Sequence, residues 1–193
     1  MITRDGVVSR ASLIEVKGSA PREVGACMLI GTDEIWQTIG GGTMEFEVMH
    51  AARTMMTARN ATCWPRQIIT AALGPDMGQC CGGQVRILIE LFDHRALDWL
   101  RSVDDDRHLC IAHPLSGDEP PVVVAGDMAI GLSKDKDVFV APVARALRPL
   151  FLYGAGHIGR ALAPLLPALD LDVHWVDIAG DRFPKAMPAG VRQ

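Results

Sequence analysis

Apolar runs broken by glycine and proline clusters set the pattern of this chain. Residues 7–16 have the β-branched content of a strand, and Gly18-Ser19-Ala20-Pro21-Arg22 stops it with turn residues. Residues 26–30 and 35–39 predict a second and a third strand, joined by a polar turn at 31–34, and Gly40-Gly41-Gly42 follows at once. Residues 43–56 are rich in helix formers, with Glu45 and Glu47 early and Arg53 late, the order that complements a helix dipole. Two more strands are predicted at 67–71 and 85–92, the second apolar enough to be buried. The signal then weakens. A short helix at about 94–102, the acidic run 104–106 and a Pro/Gly-rich stretch at 114–126 predict a connector carrying a hairpin. Residues 150–153 form a short apolar strand that runs into Gly154-Ala155-Gly156-His157-Ile158-Gly159 and a helix toward Leu169. Pro164 and Pro167 each remove a backbone donor, so that helix is expected to kink or end early. Residues 172–177 predict the next strand, closing on an acid.

The order of elements gives the α/β class. A mixed α/β domain spans 1–92, a connector 93–148, and the first βαβ unit of a Rossmann-type domain 149–193. A doubly wound sheet needs further strands to cover its faces and edges. The reading therefore expects a C-terminally incomplete form of a longer protein, with a self-sufficient first domain.

Composition narrows the function classes. The chain has 193 residues, 49% hydrophobic and 22% charged, which excludes a disordered or fibrous protein. Lys+Arg 19 against Asp+Glu 23 gives a net charge of −4, so no general basic field exists to hold nucleic acid or an anionic membrane. No apolar stretch approaches the ~20 residues of a membrane span, and the first ten residues lack a signal-peptide core. A cytoplasmic protein is expected. Five cysteines, at 27, 63, 80, 81 and 110, read as thiols rather than a disulfide framework, and neither a CxxC nor a zinc-spaced His/Cys cluster occurs.

Three constellations could carry chemistry. In the first, a GxGxxG follows a strand and opens a helix, and an acid ends the next strand. Gly154 would make the tight turn, Gly156 admit a pyrophosphate, Gly159 allow helix–strand contact and Asp177 accept from a ribose hydroxyl. His157 could hydrogen-bond a phosphate or be a polar first-turn residue. In the second, Gly40, Gly41 and Gly42 lead into a helix start, where free backbone N–H groups make a generic anion site. Three glycines in a row imply a close backbone approach or positive φ. Glu45 could face a ligand or cap the helix. The third is Gln79-Cys80-Cys81-Gly82-Gly83. Adjacent Cα atoms lie 3.8 Å apart, below the usual ~4.4–6.8 Å of a disulfide, so Cys80 and Cys81 suit separate thiols. A thiolate among glycines fits sulfur exchange or contact with a thiophilic metal. Ser19 and Arg22 add a hydroxyl and a fork-shaped cation able to grip phosphate.

Taken together, residues 17–22, 38–45, 73–83 and 153–159 resemble the XdhC/CoxI family, accessory proteins of molybdenum hydroxylases. The resemblance implies a chaperone that binds molybdenum cofactor (molybdopterin) as cargo and holds it while a cysteine desulfurase supplies the terminal sulfido ligand. It then delivers the cofactor to apo-xanthine dehydrogenase or a related molybdenum hydroxylase. It also implies an N-terminal α/β domain followed by a Rossmann domain, commonly in a homodimer, and no catalysis by the chain itself. The carried-over cofactor residues are Ser19, Arg22, Gly40, Gly41, Gly42, Glu45, Gln79, Cys80, Cys81, Gly82 and Gly83, with Gly154, Gly156, His157, Gly159 and Asp177 for a nucleotide at the Rossmann motif. Cys80 or Cys81 would contact the molybdenum centre. The chain departs from the family at Cys27, where relatives often carry a basic residue, and at Ala141, where an acid is common. It also begins almost at its first strand, so an upstream helix usual in relatives is expected to be missing. Two other classes stay open on the residues alone. One is an NAD(P)-dependent oxidoreductase resting on the GxGxxG and Asp177, and the other a sulfur-transfer enzyme forming a persulfide on Cys80 or Cys81.

Overall fold

The computed structural model describes residues 1–58, 64–74, 82–102, 109–126, 128–143, 147–169 and 171–193. Two compact units emerge, Met1–Ala144 and Arg145–Gln193.

The first unit opens with a short helix, α1 (Ile2–Asp5), and a long strand, β1 (Val7–Lys17). Strands β2 (Cys27–Ile30), β3 (Ile35–Gln37), β4 (Arg66–Ala72) and β5 (Gln84–Asp93) join it in an antiparallel sheet of order β3-β2-β1-β5-β4. Helix α2 (Gly42–Ala58) covers one face. Its buried residues Met44, Val48, Ala52 and Met56 recur every four positions, which puts them in one stripe. Three of them meet Leu13, Met28, Val85, Ile87 and Ile89 in the main core.

The opposite face of this sheet is covered by a second sheet, and this corrects the reading of 93–148 as a connector with one hairpin. After a 3-10 turn (His94–Ala96) and helix α3 (Leu97–Ser102), strands β6 (Leu109–Pro114), β7 (Val122–Ala125), β8 (Gly131–Leu132) and β9 (Val138–Pro142) form an antiparallel sheet of order β7-β6-β9-β8. Up to Ala144 this stretch clusters with the first unit. Ile14 and Leu88 of the first sheet pack against Leu115, Phe139 and Ala141 of the second. Burial on both faces is why β1 and β5 read as nearly continuous apolar runs. It also accounts for Ala141, which sits in this apolar contact. Arg66 on β4 adds a polar tie, its guanidinium donating to the carbonyls of Pro114, Ser116 and Glu119.

In the second unit, β10 (Arg148–Tyr153), α4 (His157–Leu162) and β11 (Leu171–Val176) form the expected parallel βαβ unit, and β12 (Val191–Arg192) pairs parallel to the far side of β11. Helix α4 ends two residues before Pro164, and a 3-10 turn (Leu166–Leu169) takes over. Its core is Ala155, Ala163 and Trp175, with Leu152, Phe183, Met187 and Val191 around them. Among the described residues, no helix is long and apolar enough to cross a membrane.

Candidate cofactor-binding site

In the first unit the loop at residues 18–22 is held between two glycines from distant parts of the sequence. A Cβ on Gly83 would lie 2.1 Å from the Ser19 carbonyl oxygen, and one on Gly40 would lie 2.4 Å from Pro21 Cγ. Both approaches need a residue without a side chain. Arg22 Nη1 donates to the Thr38 carbonyl at 3.2 Å, which ties the same loop to the start of the glycine run, and Arg22 Nε lies 3.6 Å from Glu23. Ser19, Arg22, Gly40, Gly41, Gly82 and Gly83 thus belong to one constellation built from three loops. Gly82 N–H donates to the Leu73 carbonyl at 2.6 Å and the Gly83 carbonyl accepts from Leu73 N–H at 2.7 Å, fixing where the chain re-enters beside Ser19. Gln79, Cys80 and Cys81 lie outside the described residues, as does Cys63.

The glycine run has the predicted backbone, and two of its three amides are engaged within the chain. Gly40, Gly41 and Gly42 all have positive φ, at 134, 78 and 70°. Their amides were expected to be free for an anion. Instead the Ile39 and Gly41 N–H groups donate to Glu45 Oε2, each at 3.0 Å, and Gly40 N–H donates to Thr38 Oγ1 at 3.0 Å. The Thr38 hydroxyl donates in turn to the same Glu45 oxygen. Glu45 therefore acts as a cap reaching back over the first turn of α2, supplying the negative charge that a helix start favours. Thr38 is a further member of the site, to which no motif assigned a role. Its signal was a hydroxyl just ahead of the glycines and seven positions before the acid, the spacing that lets both side chains close on the same loop.

Cys27 donates its thiol to Gln37 Oε1 at 3.6 Å. Gln37 has a φ of 63°, a left-handed conformation uncommon for a residue with a side chain, and it ends β3 two residues earlier than expected.

A buried polar cluster joins the two sheets of this unit, and no sequence signal announced it. Arg10 on β1 and Glu90 on β5 are cross-strand partners. His113 on β6 lies against both, with Nε2 2.8 Å from Arg10 Nη1 and Nδ1 2.9 Å from Glu90 Oε2, the latter close but poorly aligned. Arginine can only donate, so Nε2 accepts and Nδ1 carries the imidazole proton. Burial pushes the His113 pKa below its usual 6.5, with the Arg10 charge in the same direction and Glu90 opposing both. The ring is neutral at pH 7.

In the second unit, Gly154 turns with a φ of 97°. A Cβ on Gly159 would lie 2.0 Å from the Gly154 carbonyl oxygen, so this glycine serves the helix–strand contact as expected. Nothing stands within 4 Å of a Cβ on Gly156, and His157 is exposed. The Trp175 indole N–H donates to the Gly154 carbonyl at 3.0 Å. Asp177 has an internal partner: its Oδ2 accepts from Ala155 N–H at 2.7 Å, and chiefly for that reason its carboxyl is held below the usual carboxylate range. Among the described residues, no group of three or more His, Cys, Asp and Glu side chains is placed to hold a metal ion.

These features define an α/β protein of two units, with glycine-bearing loops gathered at a candidate binding site in the first. Residues 2–64 match the model of the XdhC and CoxI family, a stretch that contains the motifs at 17–22 and 38–45. The fold is similar to that of a xanthine dehydrogenase from Bacillus halodurans known from a crystal structure, at 17% identity and a TM-score of 0.68, with 97% of this chain and 63% of that chain covered. The chain therefore spans less than two thirds of the length of that structure. Comparison with curated proteins finds no match.

Proposed function

We propose that the chain is a molybdenum-cofactor carrier, an accessory protein that holds the cofactor for sulfuration and hands it to a xanthine dehydrogenase or related molybdenum hydroxylase. The observation that carries this reading is the convergence of residues 18–22, 38–45 and 82–83 on one another, through contacts that only glycine at 40 and 83 permits. The family match over 2–64 supports it.

The cargo offers three kinds of surface: a phosphate, a flat pterin and a soft, sulfur-ligated metal. With the amides of Ile39, Gly40 and Gly41 engaged by Glu45 and Thr38, the phosphate falls to the Arg22 guanidinium and the exposed Ser19 hydroxyl rather than to the glycine amides. An arginine has five N–H donors, and the Thr38 carbonyl takes one. Exposed backbone without a side chain at Gly82 leaves the pterin a surface it can approach closely, while buried Gly83 packs the loop at 18–22 beside it. Thiols at Cys80 and Cys81 suit the molybdenum end, since a thiolate is a soft ligand. In this reading the chain turns over no substrate; a cysteine desulfurase supplies the sulfur, and a homodimer presents the loaded site to the hydroxylase.

Single Cys80→Ala and Cys81→Ala variants test the assignment. At least one is expected to lose bound pterin during gel filtration, measured by fluorescence after acid oxidation, while its circular dichroism stays that of the parent. Full retention by both variants would remove the cysteines from the site.

A further inference from the structure

The glycine loop of the second unit closes on itself through a ring of four residues. Ala155 N–H donates to Asp177 Oδ2 at 2.7 Å, and Arg160 Nε donates to the Ala155 carbonyl at 3.0 Å. Arg160 Nη2 donates to the Arg182 carbonyl at 2.6 Å, and Arg182 Nη1 returns to Asp177 Oδ1 at 3.4 Å. The ring links the turn after β10, the helix α4 and the turn after β11. Asp177 is its anchor. Besides Ala155 and Arg182, it accepts from Ala179 N–H at 3.3 Å. A carboxylate has about four acceptor positions, and three donors of the chain itself meet this one. Its side chain is only 4% exposed.

In a dinucleotide-binding βαβ unit, the acid at the end of the second strand takes the ribose hydroxyls. We infer that Asp177 is instead a positioning residue, a nearly buried clasp committed to the chain's own donors in shaping the glycine loop, and that this unit does not hold a nicotinamide dinucleotide. A ribose diol would have to reach a side chain only 4% exposed and compete there with the chain's own donors, the Ala155 amide at 2.7 Å foremost. The loop is also held from beneath, where the Trp175 indole N–H binds the Gly154 carbonyl and Gly159 leaves no space to shift. The GxGxxG pattern is thereby explained by packing and by an internal anion. This inference is independent of the carrier reading, and it counts against the oxidoreductase.

Hydrogen exchange on the intact chain, read at the peptide containing Ala155, tests the clasp, and an NADH titration followed by tryptophan fluorescence tests its consequence. The Ala155 amide is expected to be protected in the parent and to exchange about tenfold faster or more in Asp177→Ala. Asp177→Asn, which keeps one acceptor oxygen and the side-chain shape, is expected to fall between them. NADH is expected to give no saturable signal. Equal Ala155 protection in the parent and both variants, or saturable NADH binding by the parent chain, would overturn the inference.

Discussion

Replacing Gly83 with alanine is expected to lower the stability of the first unit by about 3 kcal/mol, at the upper end of what overpacking costs. The added Cβ would meet backbone on two sides, 2.1 Å from the Ser19 carbonyl oxygen and 2.8 Å from that of Lys17. Neither side can yield cheaply. The Gly83 carbonyl is held by Leu73 N–H, and Gly18, in a left-handed conformation, already brings the opposing loop close, since a Cβ there would come within 3.3 Å of Gly83 Cα. Gly82→Ala supplies the comparison. Gly82 has a φ of 67° but open space around its Cβ position, so only the cost of holding a side chain in the left-handed region applies, about 1 kcal/mol. Urea unfolding of the two variants separates these costs, with the midpoint falling much further for Gly83→Ala at an unchanged slope. Equal midpoints would mean that the loops do not meet at Gly83.

The second large effect lies away from the site, at His113. His113→Leu removes the group that separates Arg10 from Glu90, whose nearest charged atoms are 4.0 Å apart, and leaves the buried Glu90 carboxylate without its closest contact. Leaving buried polar groups without their partner in this way costs about 1–3 kcal/mol each. The same histidine sets a pH dependence. Its pKa is lowered in the folded protein, so between that value and 6.5 the unfolded chain binds the proton more readily. Stability is therefore full above 6.5, falls as the pH drops below it, and levels off beneath the folded-state value. Protonation would also place an N–H on Nε2, facing the Arg10 guanidinium. The unfolding midpoint of the parent is expected to fall between about pH 7.5 and 5.5 by more than that of His113→Leu. An identical fall in both would place the titration elsewhere.

Much of this architecture was legible because local chemistry decided it. The runs at 7–16, 67–71 and 85–92 became β1, β4 and β5 with ends shifted by no more than one residue, and α4 ends ahead of Pro164 and its missing donor. Legibility failed where the deciding partner is remote. The strands between 109 and 142 are short, and what orders them is burial against Ile14 and Leu88 of another sheet. Arg10 and His113 are 103 positions apart, so no window of sequence contains their contact. Residue types at the candidate site were readable, but their engagement was not. Glu45 and Asp177 are both acids in glycine-rich settings, and in both cases amides of the chain itself donate to them. A motif predicts which groups come to a loop, whereas the folded chain decides whether an internal partner reaches them first.

That question bears most directly on the three loops of the first unit, where Arg22, Ser19 and the exposed backbone at Gly82 are proposed to hold a pterin cargo. The decisive measurement is the pterin content of the chain purified from a cell that makes molybdenum cofactor, released and oxidised to its fluorescent form after gel filtration. The account predicts stoichiometric pterin that co-elutes with the protein. A folded chain from such a cell that carries no pterin would contradict it.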